Sequence, residues 1–427
     1  MKVRILFLIA LVFPYQFFGQ SIDKLIRLSE TERIEKYLSS DELEGRKPFT
    51  PGIEKAAQFI SKEFEKNKLD YFSANSYLQT FQLYKPSLIS AKLKLENVEV
   101  ASNKMVVFTR AEKVTIDENS GYTISSIKKG DNLFRSVYQY LSKKSPQIVF
   151  VDESFSTQFS RLSNRNPLKK NQETVVFILS DVVPTHFEIE AIHSVTPLNL
   201  SNVVAMIPGK SLTNEYVIFS GHYDHLGIIS KGGSTVDSIY NGANDDAAGT
   251  TAMIMLAKYF KKKNNNERTL LFVAFTAEES GGFGSSYFSE QLNPESVKAM
   301  FNLEMIGTES KWGKNSAYIT GFDKSNMGQI LQENLKGTAF TFYPDPYTDQ
   351  NLFYRSDNAT LARLGVPAHT ISTSKMDSEP NYHQASDEYQ TLDLVNMNEI
   401  IKAIAKSSES IISGKDTPSR VDTLQLK

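Results

Sequence analysis

The chain has 427 residues, 40% hydrophobic and 22% charged, enough apolar material to bury a large core across two or three domains. Its 47 basic and 49 acidic residues leave a formal net charge of -2, which gives no reason to expect a nucleic acid or an anionic membrane surface as partner. There are no cysteines, so disulfides, thiolate metal sites and cysteine nucleophiles are excluded, and any metal has to be held by His, Asp and Glu.

The first predicted element is an export signal over residues 1–19. Lys2 and Arg4 precede the apolar run Ile5 to Phe13, Pro14 ends it, and the small Gly19 marks a cleavage edge. The run falls short of the ~20 residues that span a bilayer, and no later segment is apolar enough to serve as an anchor. The expectation is a periplasmic or secreted protein.

Residues 20–85 read as helix followed by strand. Thr50 and Pro51 start a helix, with Pro at its first position. Ile53, Ala56, Ala57, Ile60 and Phe64 then form one apolar stripe at helical spacing. Ser76 to Leu83 alternates as a strand, with Tyr77, Gln79 and Phe81 on one face. Residues 86–198 change texture to short β-like runs between polar loops, and read as a small β-rich inserted domain. His186 and His193 within it are expected to be ordinary surface or loop residues. Residues 199–413 alternate strand and helix: "YVIFSGH", "NDDAAGTTAMIMLAKYF", "TLLFVAFTAEE", "VKAMFNLEMIG" and "VPAHTIST". This is the pattern of an α/β fold, an open and mostly parallel or mixed sheet with helices on both faces. Residues 414–427 read as a polar tail.

The acids and histidines recur where predicted strands end. His222 and Asp224 follow "YVIFSG", Asp245 and Asp246 open the next helix, and Glu278 and Glu279 follow "LLFVAFTA". Glu304 closes "AMFNLE", and His383 lies in "EPNYHQASDE". Open α/β sheets gather such ends on one rim. Singly each has an ordinary reading. Asp246, for instance, is expected to cap the helix. Together, two imidazoles and three carboxylates without sulfur suit zinc, with manganese or cobalt as substitutes. A shared carboxylate would hold two metals ~3.5–4 Å apart, and a further acid could accept a proton from water. In this reading the His222 imidazole binds a metal, and Asp224 orients that ring or its neighbours from behind.

The pieces "GHYDHLG", "NGANDDAAGT", "TAEESGGFGS", "FNLEMIG" and "NYHQASDE" resemble, in order and separation, the dizinc exopeptidases of the secreted aminopeptidase family, which also includes glutamate carboxypeptidase and glutaminyl cyclase. "LSSDELEGR" and the helix after it are similar to that family's opening segment, so the likeness covers about residues 20–85 and 199–412. It implies a zinc-exopeptidase fold of the phosphorylase/hydrolase-like type, with the insert where some members carry a protease-associated domain. It also implies two zinc ions and peptide substrates. His222 and Glu304 would bind one metal, Glu279 and His383 the other, and Asp245 both. Glu278 would be the general base and acid, and Tyr382 a donor to the oxyanion. His225 matches no ligand position and is expected to line the rim, and Asp357 is expected in a supporting loop. Glu304 departs from the Asp usual in the aminopeptidases, and Glu there is associated with carboxypeptidase-type members. Aminopeptidase action is thus weighed against a carboxypeptidase or dipeptidase, a glutaminyl cyclase, and a non-catalytic binding protein on the same scaffold. Oligomeric state has no signature in the sequence.

Overall fold

The computed structural model describes residues 22–164, 167–230 and 237–426. The export signal expected at residues 1–19 lies outside the described residues. Three helices and eight strands matter most for the site. Helix α1 (Leu28–Leu38) and helix α2 (Pro51–Lys66) open the described chain, and α2 begins at the expected Thr50–Pro51 step. The stripe Ile53, Ala56, Ala57, Ile60 and Phe64 is buried, as its spacing requires.

Strand β1 (Leu78–Leu95) and strand β2 (Phe187–Ile207) form a long antiparallel ribbon. They are followed by β3 (Leu212–His222), helix α3 (Ala248–Lys263), β4 (Arg268–Phe275), β5 (Val297–Leu303), β6 (Ser316–Ile319), β7 (Thr341–Pro344) and β8 (Ala368–Ser372). The main sheet runs β7-β6-β8-β5-β3-β4-β2-β1. Its centre, β4-β3-β5-β8, is parallel, and antiparallel neighbours flank it. Strand β3 has β4 on one side and β5 on the other, so the chain reverses its direction of winding there. That is where open α/β sheets place ligands.

Alternation decides the two faces. Val217 and Phe219 point to the face that carries α1, α2 and α3, and Ile218 points to the opposite face with Leu271, Phe288 and Leu361. On the first face Phe219 stacks on Phe272 of β4 at 5.7 Å and on Phe301 of β5 at 4.8 Å. Fully burying such side chains contributes about 1.5–3 kcal/mol each.

The positions expected as insert boundaries, residues 86 and 198, fall inside the ribbon, which passes them without a break. Beyond them the ribbon packs against a second sheet made of Met105–Phe108, Val175–Leu179, Gln147–Val151 and Thr123–Ile127. Leu93, Phe187, Ile189 and Ala191 meet Ile148, Phe150, Val176 and Ile178 in that interface. The pairing shifts register between Ile192 and His193, where Ile89 is skipped. His193 departs from expectation. It is 4% exposed, on the inward face of β2, whereas His186 is exposed and pairs with Glu118 at 2.9 Å.

Residues 414–426 are polar in sequence yet held down. Arg268 donates to the carbonyl of Asp416, Arg420 donates to the carbonyls of Pro294 and Val297, and Val421 is buried. Among the described residues, no helix is long and apolar enough to cross a membrane.

Candidate metal centre

His222 is the last residue of β3, and three bonds fix it. Its N–H donates to Asp246 Oδ2 at 3.1 Å, its carbonyl accepts from Thr250 Oγ1 at 2.7 Å, and its Nδ1 lies 3.0 Å from the Asp224 carbonyl. A carbonyl can only accept, so Nδ1 carries the proton and Nε2 presents its lone pair. That Nε2 is 3.2 Å from Asp245 Oδ1 and 3.2 Å from Glu304 Oε1. Across the site, His383 Nε2 is 3.3 Å from Asp245 Oδ2 and 3.1 Å from Glu279 Oε1. The two oxygens of Asp245 thus face two different histidines. His222, Asp245, Glu279, Glu304 and His383 come together from five segments of the chain.

Two imidazoles facing three carboxylates are tolerable only with positive charge among them. Hydrogen bonds to Asp245 and Glu279 hold His383 up to about 10. Burial pushes Asp245 up, but His222 and His383 outweigh it and bring the carboxyl below its ordinary value. Two groups each offer three or more ligand atoms within 4.8 Å of one another: His222, Asp246 and Glu304, and His225, Asp245 and Glu279. Donor type, spacing and unbalanced negative charge fit two divalent cations, and an all-N/O donor set suits zinc.

The carboxylates are set by the backbone around them. Asp245 and Asp246 are non-helical, with φ of -113° and -131°, so α3 begins only at Ala248. The predicted helix over this stretch therefore starts several residues late. Asp387 causes part of this by accepting the N–H groups of Asn244 at 2.9 Å and Asp245 at 3.0 Å. Asp246 caps the start of α3 through the N–H of Gly249 and also accepts from His222 and Met305. Those three bonds leave it a clamp between loops. Gly249 has to be glycine here, because a Cβ would collide with the Leu303 carbonyl and the Asp246 carboxylate.

Asp224 is buried, and it touches both the His222 ring and a neighbour. Its carbonyl orients His222, while Oδ1 accepts the N–H of Glu278 at 3.0 Å and Oδ2 has no hydrogen-bond partner. Burial raises its carboxyl to about 7. Burial likewise pushes Glu278 well above the carboxylate range, with Glu304, Asp357 and Glu279 adding repulsion. Tyr382 stacks on His383 with ring centroids 4.0 Å apart. Asp357 is buried at the start of the short helix Asn358–Ala362.

Two residues matter more than the sequence suggested. His225 is 1% exposed, its Nδ1 is 3.0 Å from Glu279 Oε1, and its Nε2 is buried without a hydrogen-bond partner. The second imidazole of "GHYDHLG" therefore belongs to the site. Arg46 is fully buried and donates to the carbonyls of Leu38, Tyr223, Asn241 and Gly242. It ties the loop after β3 to the loop that carries Asp245. A cation serving only carbonyls leaves no charge-pairing pattern in sequence.

Residues 202–408 match the sequence profile described as Peptidase family M28. A 122-residue stretch, 27% of this chain, is 32% identical to a "Probable zinc metalloprotease" of Pyrenophora teres f. teres. The chain spans about a quarter of that relative's length (23%). Among solved structures, the aminopeptidase from Aneurinibacillus sp. strain AM-1 superposes with a TM-score of 0.55 at 16% identity, covering 95% of this chain and 98% of that one. The glutaminyl cyclase of Porphyromonas gingivalis does so with a TM-score of 0.50 at 11% identity, covering 91% and 99%. At such identities the likeness is one of fold, and that fold is shared by an aminopeptidase and a cyclase.

Proposed function

Over residues 202–408 the chain belongs to peptidase family M28, and on that premise we propose that it is an exported aminopeptidase that removes N-terminal residues from peptides with two zinc ions. The observation that carries the two-cation reading is Asp245, whose Oδ1 lies 3.2 Å from His222 Nε2 while Oδ2 lies 3.3 Å from His383 Nε2. His222 and Glu304 would hold one cation, His383 and Glu279 the other, and Asp245 both. The cations, when bound, supply positive charge that polarises the scissile carbonyl and makes water a stronger nucleophile.

The protein's own groups do the rest. Glu278 takes the proton of the attacking water and later gives it to the leaving amine. A carboxyl whose pKa burial has raised suits both halves of that exchange. The Tyr382 phenol, which burial keeps protonated, donates to the oxygen that gains negative charge. Asp224 holds Glu278 by its backbone and His222 by its tautomer. Residues 1–19 direct export, which N-terminal sequencing of the extracytoplasmic protein would test.

A second reading, release of C-terminal residues, is favoured by Glu304, whose side chain is one methylene longer than the Asp usual in aminopeptidases. Zinc-loaded protein with dipeptides blocked at one end or the other separates the two. Free-amine substrates should be cleaved and N-acetylated ones resisted; cleavage of N-acetylated dipeptides alone would sink the aminopeptidase. A content near one zinc per chain with pyroglutamate as product would point to a cyclase instead.

A further inference from the structure

Beside Glu304 and Tyr382 lies a cavity of about 60 Å3, walled further by Thr320, Arg355, Ser356 and Met376. At ~10–15 Å3 per water-sized position it takes roughly four to six non-hydrogen atoms, whereas a ring needs a cavity nearer 150 Å3. A side chain of a residue at the scissile bond would enter it. Size alone allows any short side chain, so chemistry decides.

Most hydroxyls around the cavity are already committed. Ser356 donates to Glu304 Oε2, Thr370 to Asn358 Oδ1 at 2.9 Å, and Tyr318 to the Ser374 carbonyl at 3.1 Å. Arg355 is different. Its side chain is exposed, and Nη1 makes one long contact of 3.4 Å to Gln350 Oε1. Among the described residues no carboxylate forms an ion pair with it. The same Gln350 amide donates to the Met376 carbonyl at 3.0 Å, which holds the guanidinium near the cavity's other wall. A planar cation with open N–H groups matches a carboxylate two bonds at a time. It also answers an electrostatic objection, because an acidic group arriving here would otherwise face Glu304, Glu279 and Glu278.

We propose that Arg355 makes this cavity a carboxylate subsite, so that the substrate is selected through an acid it carries next to the scissile bond. The acid is either the side chain of an Asp or Glu residue or a free terminal carboxylate. The proposal rests on the peptidase reading for the position of the scissile bond, and the test separates the two.

The zinc-loaded full chain is assayed for kcat/KM on Glu- against Gln-4-nitroanilide and on glycylglycine against its amide. Calorimetric titration with L-glutamate, L-glutamine and L-glutaminamide reads the subsite without turnover. The acid member of at least one pair should be favoured by about tenfold or more. Arg355→Gln should bring that ratio to within about twofold of one, and Arg355→Lys should keep part of it. A preference in the Glu/Gln pair assigns the side chain; a preference in the acid/amide pair assigns the terminus. Equal values across both pairs in the native chain, or a preference that survives Arg355→Gln, overturn the subsite. A chain that binds glutamate through Arg355 yet cleaves nothing keeps the subsite and overturns the peptidase.

Discussion

In the proposed mechanism Glu278 accepts a proton and returns it. Its replacement by Gln keeps size and polarity but removes the base. Glu278→Gln should therefore lower kcat by at least ~10²–10⁴ with zinc content unchanged. Metal analysis alongside steady-state kinetics checks this, and a variant of near-native rate would end the role. At this scale the sequence was informative where a residue ends an apolar strand, because the sheet itself brings His222, Glu279 and Glu304 to one rim. His225 was not legible. It lies past the end of β3, where the direction of the chain depends on the Arg46 carbonyl that its N–H binds at 3.2 Å. Arg46 acts on four carbonyls, and carbonyls are identical at every position of a sequence.

Elements were read well where one face is buried and poorly where tertiary bonds override periodicity. Helix α2 carries its Pro51 start and its stripe in sequence. The ribbon carries one too: "FEIEAIH" alternates without fault, and Phe187, Ile189, Ala191 and His193 all point inward. That alternation stops at Ser194, short of residue 198, while the strand itself continues to Ile207. Helix α3 starts later than its sequence pattern predicts because Asp387, more than a hundred residues away, pulls Asn244 and Asp245 out of helical geometry. Arg46 links such loops, so Arg46→Met should cost about 3 kcal/mol or more and lower zinc content as well. Urea titration and metal analysis of one preparation test both effects. Helix α1 is tied to α3 by Glu30 and Lys258 at 2.8 Å, and that bond holds the Glu30 carboxyl down to about 2. A depressed carboxylate stabilises fully above its ordinary value of 4.5, and that contribution is lost as pH falls from there toward 2. Glu30→Gln should be less stable than the native chain at pH 7, with the gap narrowing below pH 4.5 in denaturant titrations.

For the whole molecule, the rim joins segments from residue 222 to residue 383, so cations bound there would cross-link much of the core. Chelation should lower the thermal midpoint by roughly 5 °C or more, and added zinc should restore it. A calorimetric midpoint indifferent to chelator would argue against tightly held ions. The topology was legible as a class, because alternating strand and helix admits few arrangements. How far the ribbon extends past the core was not, since that length follows from a second sheet packing on its outer half.

The ribbon also limits how this architecture can change size. Side chains along β1 and β2 alternate between two faces, so one residue added to either strand without a bulge to absorb it would turn everything beyond it inside out. Ile89 is the single odd residue already accommodated, and it stands 67% exposed. Chains that hold their second sheet nearer or farther should therefore differ by even steps taken in both strands together, as a ladder is extended by whole rungs, or carry a further bulge of this kind.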